Sequence, residues 1–342
     1  MISLSLISLI YSVSKIDTGI GNYSRRLIKG LEELGQKLEK IPVVKREYTV
    51  MGKPLLGNLS LLIGTKVKGV RGDIVHSLSP EVIHSRTNIV TVHDLIPLKM
   101  KEIYSDTYYR NKGNEIVFGR LNKVGRFITF TNSGKKDLMD ISGIEENRIH
   151  VVPQAIDHQD FYHDPDVSLQ TDGKKLIVTA GDLNPRKRYD LLFEAIGGND
   201  NYQIIHVGPT NAWESRKADL EKISSKFPNI QMMGKVTLEQ LRKYFSSADL
   251  IVHLSMGEGF GYTPVEAMAC GTNVLVNDLD VFRETLQDKA FFTSLEPSEI
   301  SEQVEYAISH KKTETELIEY SKNYTISAMA NKTLEVYKEI NA

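Results

Sequence analysis

Residues 248–276 read ADLIVHLSMGEGFGYTPVEAMACGTNVLV. The segment opens on an apolar run, ADLIVHLS, that has the look of a strand and closes on another, NVLV. Between them stand a glycine-rich turn and a stretch with the marks of a helix start. Thr263 is placed to be the N-cap, Pro264 suits the first helical position, Glu266 sits at the capping-box position, and Gly271 stops the helix after about two turns. A helix standing between two short apolar strands is the unit of a parallel sheet covered on both faces.

The same rhythm runs outward in both directions. Before the midpoint the strand candidates are ISLSLISLIY, DIVHSL, NIVTVHD, RFITFT and IHVVP; after it they are KLIVTAG, YQIIHVG, NIQMMG, ADLIVHLS and NVLVN. GNYSRRLIKGLEELG supplies a helix with Leu27, Leu31 and Leu34 near one face and a glycine stop. The polar stretch at 155–173, with one proline and no period, marks a junction between two α/β domains. The last segment, TISAMANKTLEVYKEINA, reads as an amphipathic helix with Met329, Leu334 and Tyr337 toward an apolar surface. No period of 20–50 residues repeats, which excludes a solenoid.

The 342 residues are 41% hydrophobic and 25% charged, with a net charge of −2, so no strong positive field invites nucleic acid. One cysteine, Cys270, rules out an internal disulfide framework and fits a reducing compartment. The uncharged first fourteen residues lack a basic n-region and are interrupted by serines; they read as a buried first strand rather than a signal peptide or a membrane span. A cytoplasmic location follows as the expectation.

Glu258 and Glu266 flank the turn, with seven residues between them. Capping accounts for Glu266 but not for Glu258, which falls three residues past a strand's end, where ligands bind in doubly wound sheets. Glycines beside it let backbone amides approach a ligand, and a helix amino terminus favours an anion such as phosphate.

This stretch resembles the signature of the retaining glycosyltransferases of family 4 (glycosyltransferase group 1), which have the GT-B fold. The resemblance implies two Rossmann-like domains facing across a cleft: residues 1–157 as acceptor domain, 158–325 as nucleotide-sugar domain, and 326–342 as a helix crossing back onto the first. It implies that Glu258 contacts the donor sugar and Glu266 the ribose, while the backbone of Phe260, Gly261, Tyr262 and Thr263 holds sugar hydroxyls and phosphate. AGDLNPRKRYDLLFEAI is similar to the family's phosphate-binding stretch, with Lys187 at the basic position after the proline and Arg186 beside it. Many members have arginine directly after the glycine, where this chain has Asp182, so Lys187 with Arg186 would carry the phosphate. In DTGIGNYSRRL the resemblance assigns Gly19, then Gly21, to the donor's phosphates; a dehydrogenase fingerprint would need a third glycine where Ser24 stands. HDLIPL matches a subgroup often made of mannosyltransferases and brings His93 to the sugar, making GDP-mannose the first donor expectation over a UDP-sugar. The resemblance places base contacts near the GKV turn and so implies Val236 as one, and the TLEQ after it reads as a capping box.

The activity implied is a retaining, metal-independent transfer from a nucleotide diphosphate sugar to a glycan or lipid-linked acceptor, with no cofactor. DPD at 164–166 and DLD at 278–280 read as solvated turns or helix caps, so no metal is expected; G-x-S-x-G and cysteine–histidine zinc patterns are absent. From Tyr48 to Gly72 there are Lys53, Lys66, Lys68 and Arg71 and no acid. That stretch reads either as a core helix with a basic loop or as a peripheral contact with the cytoplasmic membrane face. Two alternatives stay open: an epimerase or phosphorylase of the same architecture, and a nucleotide-sugar-binding subunit without catalysis.

Overall fold

In a computed structural model of the chain, the described residues are 6–13, 18–43, 69–104, 115–209 and 214–340. Two compact units divide it: Met1–Ala155 with Ile326–Ala342, and Ile156–Thr325.

The first unit holds a parallel sheet of β1 (Ile7–Ser12), β2 (Leu38–Val43), β3 (Ile74–Ser77), β4 (Ile89–Thr91), β5 (Arg126–Thr129) and β6 (Ile149–Val151), in the order β2-β1-β3-β4-β5-β6. The helix α1 (Gly19–Glu33) returns the chain from β1 to β2 and buries Tyr23, Leu27 and Leu31, one face at a four-residue spacing. Leu34 falls just beyond it as the C-cap. The terminal helix runs over Ile326–Ile340 and buries Met329, Leu334 and Tyr337. It lies so close to α1 that a Cβ on Gly30 would come within 2.8 Å of both Ala330 Cβ and Ile326 Cγ2. The Tyr337 hydroxyl reaches His76 Nδ1 on β3 at 2.6 Å.

The second unit repeats the scheme with β7 (Lys175–Ala180), β8 (Tyr202–Val207), β9 (Ile230–Gly234), β10 (Leu250–His253), β11 (Val274–Asn277) and β12 (Phe291–Thr293). Their order is β12-β11-β10-β7-β8-β9, again parallel. Continuous apolar runs such as Leu250–His253 and Val274–Asn277 are buried at every position, as strands covered on both faces require. Ile177, Phe193, Leu250, Val252, Leu275 and Ile300 belong to one core cluster.

Two strands escape a reading of apolar runs, and both are sheet edges. In β2, LEKIPV, only Val43 is buried and Pro42 removes a donor, a composition found at edges. The other, β12, is three residues long. The expected helix at TPVE also needs correction. It spans Tyr262–Ala269 and begins from Gly261 at φ +92°, so Thr263 is not the N-cap and Glu266 lies inside the helix, not at its capping-box position. A positive φ at Gly261 turns the chain into the helix earlier than a threonine cap would. The box expected at TLEQ does form, reciprocally between Thr237 and Gln240.

Of the basic stretch at 48–72, residues 48–68 lie outside the described residues, as do 1–5 of the expected first strand. Arg71 is paired with Glu39, Nε to Oε1 at 2.8 Å. No helix of the described residues is long and apolar enough to cross a membrane.

Candidate functional site

In the second sheet the chain leaves β7 toward β8 on one side, and β10 continues on the other. Neighbouring strands whose connections depart in opposite directions open a crevice at their carboxyl ends, where ligands bind in doubly wound sheets. The loops that follow β7 and β10 meet there.

After β7, Gly181 adopts φ +143° and the Asn184 side chain accepts from the Arg186 N–H, which fixes a short turn over Pro185–Lys187. Helix Tyr189–Ile196 follows. After β10, the Ser255 N–H donates to Asn277 Oδ1 at 2.7 Å, anchoring the loop to the end of β11. The Met256 N–H donates to the Arg186 carbonyl at 2.8 Å and joins the two loops directly.

Side chains from both loops then converge on one carboxylate oxygen. Arg186 Nη1 lies 2.5 Å and Lys187 Nζ 2.6 Å from Glu258 Oε1, and His253 Nε2 from the end of β10 lies 3.2 Å from the same atom. Nη1 of Arg186 also donates to Ser255 Oγ at 2.9 Å and to the Gly257 carbonyl at 2.6 Å. Lys187 Nζ is 3.3 Å from His253 Nε2. The Lys187 and Glu258 side chains are only 9% and 10% exposed, so water screens this pair poorly.

Burial opposes the charge of Glu258, but Arg186, Lys187 and the bond from His253 outweigh it and hold its carboxyl well below the usual carboxylate range. Burial pushes His253 down to about 4, helped by the neighbouring Lys187 ammonium, so the imidazole is neutral near pH 7. For Lys187, burial and then Arg186 lower its proton affinity, while Glu258 and Asp182 act against them. The pair is thus lopsided: one carboxylate gains two cations, whereas each cation shares the carboxylate with a rival. Asp182 acts on Lys187 through space and, among the described residues, forms no ion pair.

The other residues singled out in the sequence are placed as follows. Phe260 is buried with its ring edge-on to Tyr324, and its carbonyl accepts from Thr285 Oγ1 at 3.2 Å; its side chain is structural. Gly261 could not carry a Cβ, which would stand 2.7 Å from Phe282 Cε1. Tyr262 and Thr263 are the first two residues of their helix, whose leading N–H groups lack intrahelical acceptors. Glu266 is buried one turn further along. Val236 is half-buried just past β9, two strands from β7.

In the first unit, His93 follows β4 and donates from Nε2 to the Leu78 carbonyl past β3 at 2.9 Å, with its ring edge-on to Tyr23 and Phe130. Gly19 and Gly21 are not in a loop. They are the first and third residues of α1, Gly21 buried, and the helix start takes the place of the expected glycine loop. Asp278 of the DLD triplet is paired through both oxygens with Arg283. Reading the sequence missed His253 and Ser255; the only signal was a polar pair at the carboxyl end of an otherwise apolar run.

Part of the chain, including this site, is similar to known proteins. Residues 162–324 match the family described as glycosyl transferases group 1. The O-antigen chain mannosyltransferase RfbU of Salmonella typhimurium is 24% identical over 211 residues, 61% of this chain and 57% of that protein. The phosphatidylinositol N-acetylglucosaminyltransferase GPI3 subunit of Saccharomyces cerevisiae is 25% identical over 245 residues, 67% of this chain and 54% of that protein. The chain thus spans little more than half the length of these relatives. Among solved structures, sucrose-phosphate synthase from Thermosynechococcus elongatus superposes with a TM-score of 0.81 at 16% identity, covering 98% of each chain. Anabaena HepE, solved in complex with UDP and glucose, gives 0.75 at 15% identity over 98% of this chain and 100% of that one. The fold is GT-B.

Proposed function

From the match of residues 162–324 to the glycosyl transferases group 1, we propose that the protein moves a sugar from a nucleotide diphosphate donor to a glycan or lipid-linked acceptor. The observation that carries this reading is the convergence of Arg186 and Lys187 on Glu258 at the switch point of the second sheet. Two cations fixed at strand ends suit a diphosphate that gains negative charge as it leaves. A carboxylate held ionised beside them suits the hydroxyls of the transferred sugar. Glu266 is assigned to the ribose, Val236 to the base, and the backbone of residues 260–263 to phosphate and sugar. His93, Gly19 and Gly21 are the first unit's proposed contributions to sugar and phosphate binding.

Transfer is proposed to retain the anomeric configuration and to need no metal, since Arg186 and Lys187 can neutralise the leaving group. Mannose from GDP-mannose is the first choice of donor. HDLIPL and the likeness to a mannosyltransferase support it. The test incubates the chain with GDP-mannose, UDP-glucose or UDP-N-acetylglucosamine and a panel of glycan and lipid-linked acceptors in the presence of EDTA, and follows nucleoside diphosphate release. NMR of the product then reads the anomeric configuration. Release from one donor with retention supports the reading; inversion or a requirement for divalent metal overturns the corresponding part.

A further inference from the structure

Three histidines stand fully buried in strands among the described residues: His76 in β3, His206 in β8 and His253 in β10. The first two make the bonds of core residues. His76 lies between the Tyr337 and Thr91 hydroxyls at 2.6 and 2.7 Å, and His206 Nδ1 meets Thr179 Oγ1 at 2.7 Å. His253 differs. Its Nε2 contacts two charged atoms at once, Glu258 Oε1 at 3.2 Å and Lys187 Nζ at 3.3 Å. Its ring is held edge-on by Phe282 with centroids 5.7 Å apart. Phe282 is also the side chain that leaves no room for a Cβ on Gly261. One aromatic ring therefore braces both the histidine and the turn that follows Glu258.

We propose that His253 is a positioning residue for sugar transfer, its Nε2–H donating to the Glu258 carboxylate and fixing it beside the Lys187 ammonium. The proposal rests on the donor-site reading above. Arg186, Lys187 and His253 all contact Oε1, and among the described residues none of these bonds falls on Oε2. A carboxylate fixed through one oxygen presents the other to a ligand hydroxyl at a defined angle. Burial keeps the ring neutral, and the tautomer protonated at Nε2 donates to the carboxylate. A third full cation beside Arg186 and Lys187 would instead compete for the same oxygen.

The consequence is a separation of effects. His253 acts through the sugar-facing carboxylate, so its loss should harm turnover of the complete donor more than binding of the bare nucleotide. In the full chain, His253→Leu removes the polar contacts at similar volume, whereas His253→Gln can place an amide N–H donor where Nε2 stands. Affinities for UDP and GDP are measured by calorimetry, and turnover by nucleoside diphosphate release from GDP-mannose, UDP-glucose and UDP-N-acetylglucosamine. The expected result is a fall in kcat of about tenfold to a hundredfold for the leucine variant, the range of a hydrogen bond to a charged group. Nucleoside diphosphate affinity should stay within about threefold of wild type, and the glutamine variant should recover most of the turnover.

Turnover unchanged in the leucine variant, or lost equally in both variants, overturns the proposal. A wild-type chain that neither binds nor turns over any of these probes overturns the donor-site reading itself, and this inference with it. Should the leucine variant not fold, the His253 ring signals in wild-type NMR spectra decide. A shift on saturation with the donor sugar nucleotide, beyond that caused by the bare nucleotide, is expected; identical signals in both contradict the proposal.

Discussion

Lys187 Nζ and Glu258 Oε1 lie 2.6 Å apart although 71 residues separate them in the chain. Each stands just past the carboxyl end of a strand, and β7 and β10 are neighbours only because the chain returns to the middle of the sheet after building one flank. The ion pair is thus a product of topology.

Removing the carboxylate leaves two buried cations without their shared partner. Glu258→Gln should therefore lower stability by about 3 kcal/mol, the order seen when one member of a buried ion pair is lost. Lys187→Met should cost less, because Arg186 continues to hold Glu258. Urea unfolding of both variants and their double mutant measures the coupling, expected at about 1–3 kcal/mol for groups in direct contact. Additive effects would contradict a working pair.

Stability should fall in mild acid. Burial lowers the pKa of His253 and His206 to about 4 and of His76 to about 3, with Lys187 assisting at His253 and His93 at His76. Between the unfolded value of about 6.5 and these folded values, the unfolded chain binds protons that the folded chain refuses. Each histidine then removes up to about 1.4 kcal/mol per pH unit. Glu258, whose folded pKa is depressed, contributes stability above its unfolded value of 4.5 that is lost as pH falls further. Urea midpoints should drop clearly from pH 7 to pH 5; a flat profile would mean that these rings are not buried neutral.

Gly261→Ala should destabilise the turn through two separate causes. The residue sits at φ +92°, and a Cβ would stand 2.7 Å from Phe282 Cε1. Gly35→Ala is the control, with φ +71° and nothing within 4 Å. The control should cost about 1 kcal/mol for the left-handed backbone alone, and Gly261→Ala about 2–4 kcal/mol in the same urea assay. Equal costs would remove the steric part of the argument.

Tyr337→Phe tests how the terminal helix is held. The hydroxyl bonds to buried His76 Nδ1 at 2.6 Å, and its loss leaves a ring nitrogen without its partner. A loss of about 1–3 kcal/mol is expected in urea unfolding, with the helix retained by far-ultraviolet circular dichroism.

Most of both sheets is legible as apolar runs, because strands buried on two faces must be apolar throughout. The edge β2 is not, since it is mostly solvated and carries Pro42, and no local pattern marks the edge β12, which is no shorter than the legible β4 and β6. The charged cluster was half legible. Glu258 stands out among glycines, and the basic turn at 186–188 can be placed between a strand and a helix. That Lys187 is buried depends on β10 lying beside β7, which no local pattern encodes. His253 is hidden for the same reason, a single polar residue ending an apolar run. Thr263 misled because a threonine before a proline makes a good cap; Gly261 supplied a turn that made the cap unnecessary.

Calorimetric titration of UDP and GDP into the wild-type chain and into Lys187→Met, with EDTA present, tests the central claim most directly. The claim predicts that one nucleoside diphosphate binds the wild type and that the variant binds it about tenfold to a hundredfold more weakly, as loss of a charge-assisted bond to phosphate requires. Equal affinity in the two chains, or no binding to the wild type, would contradict it.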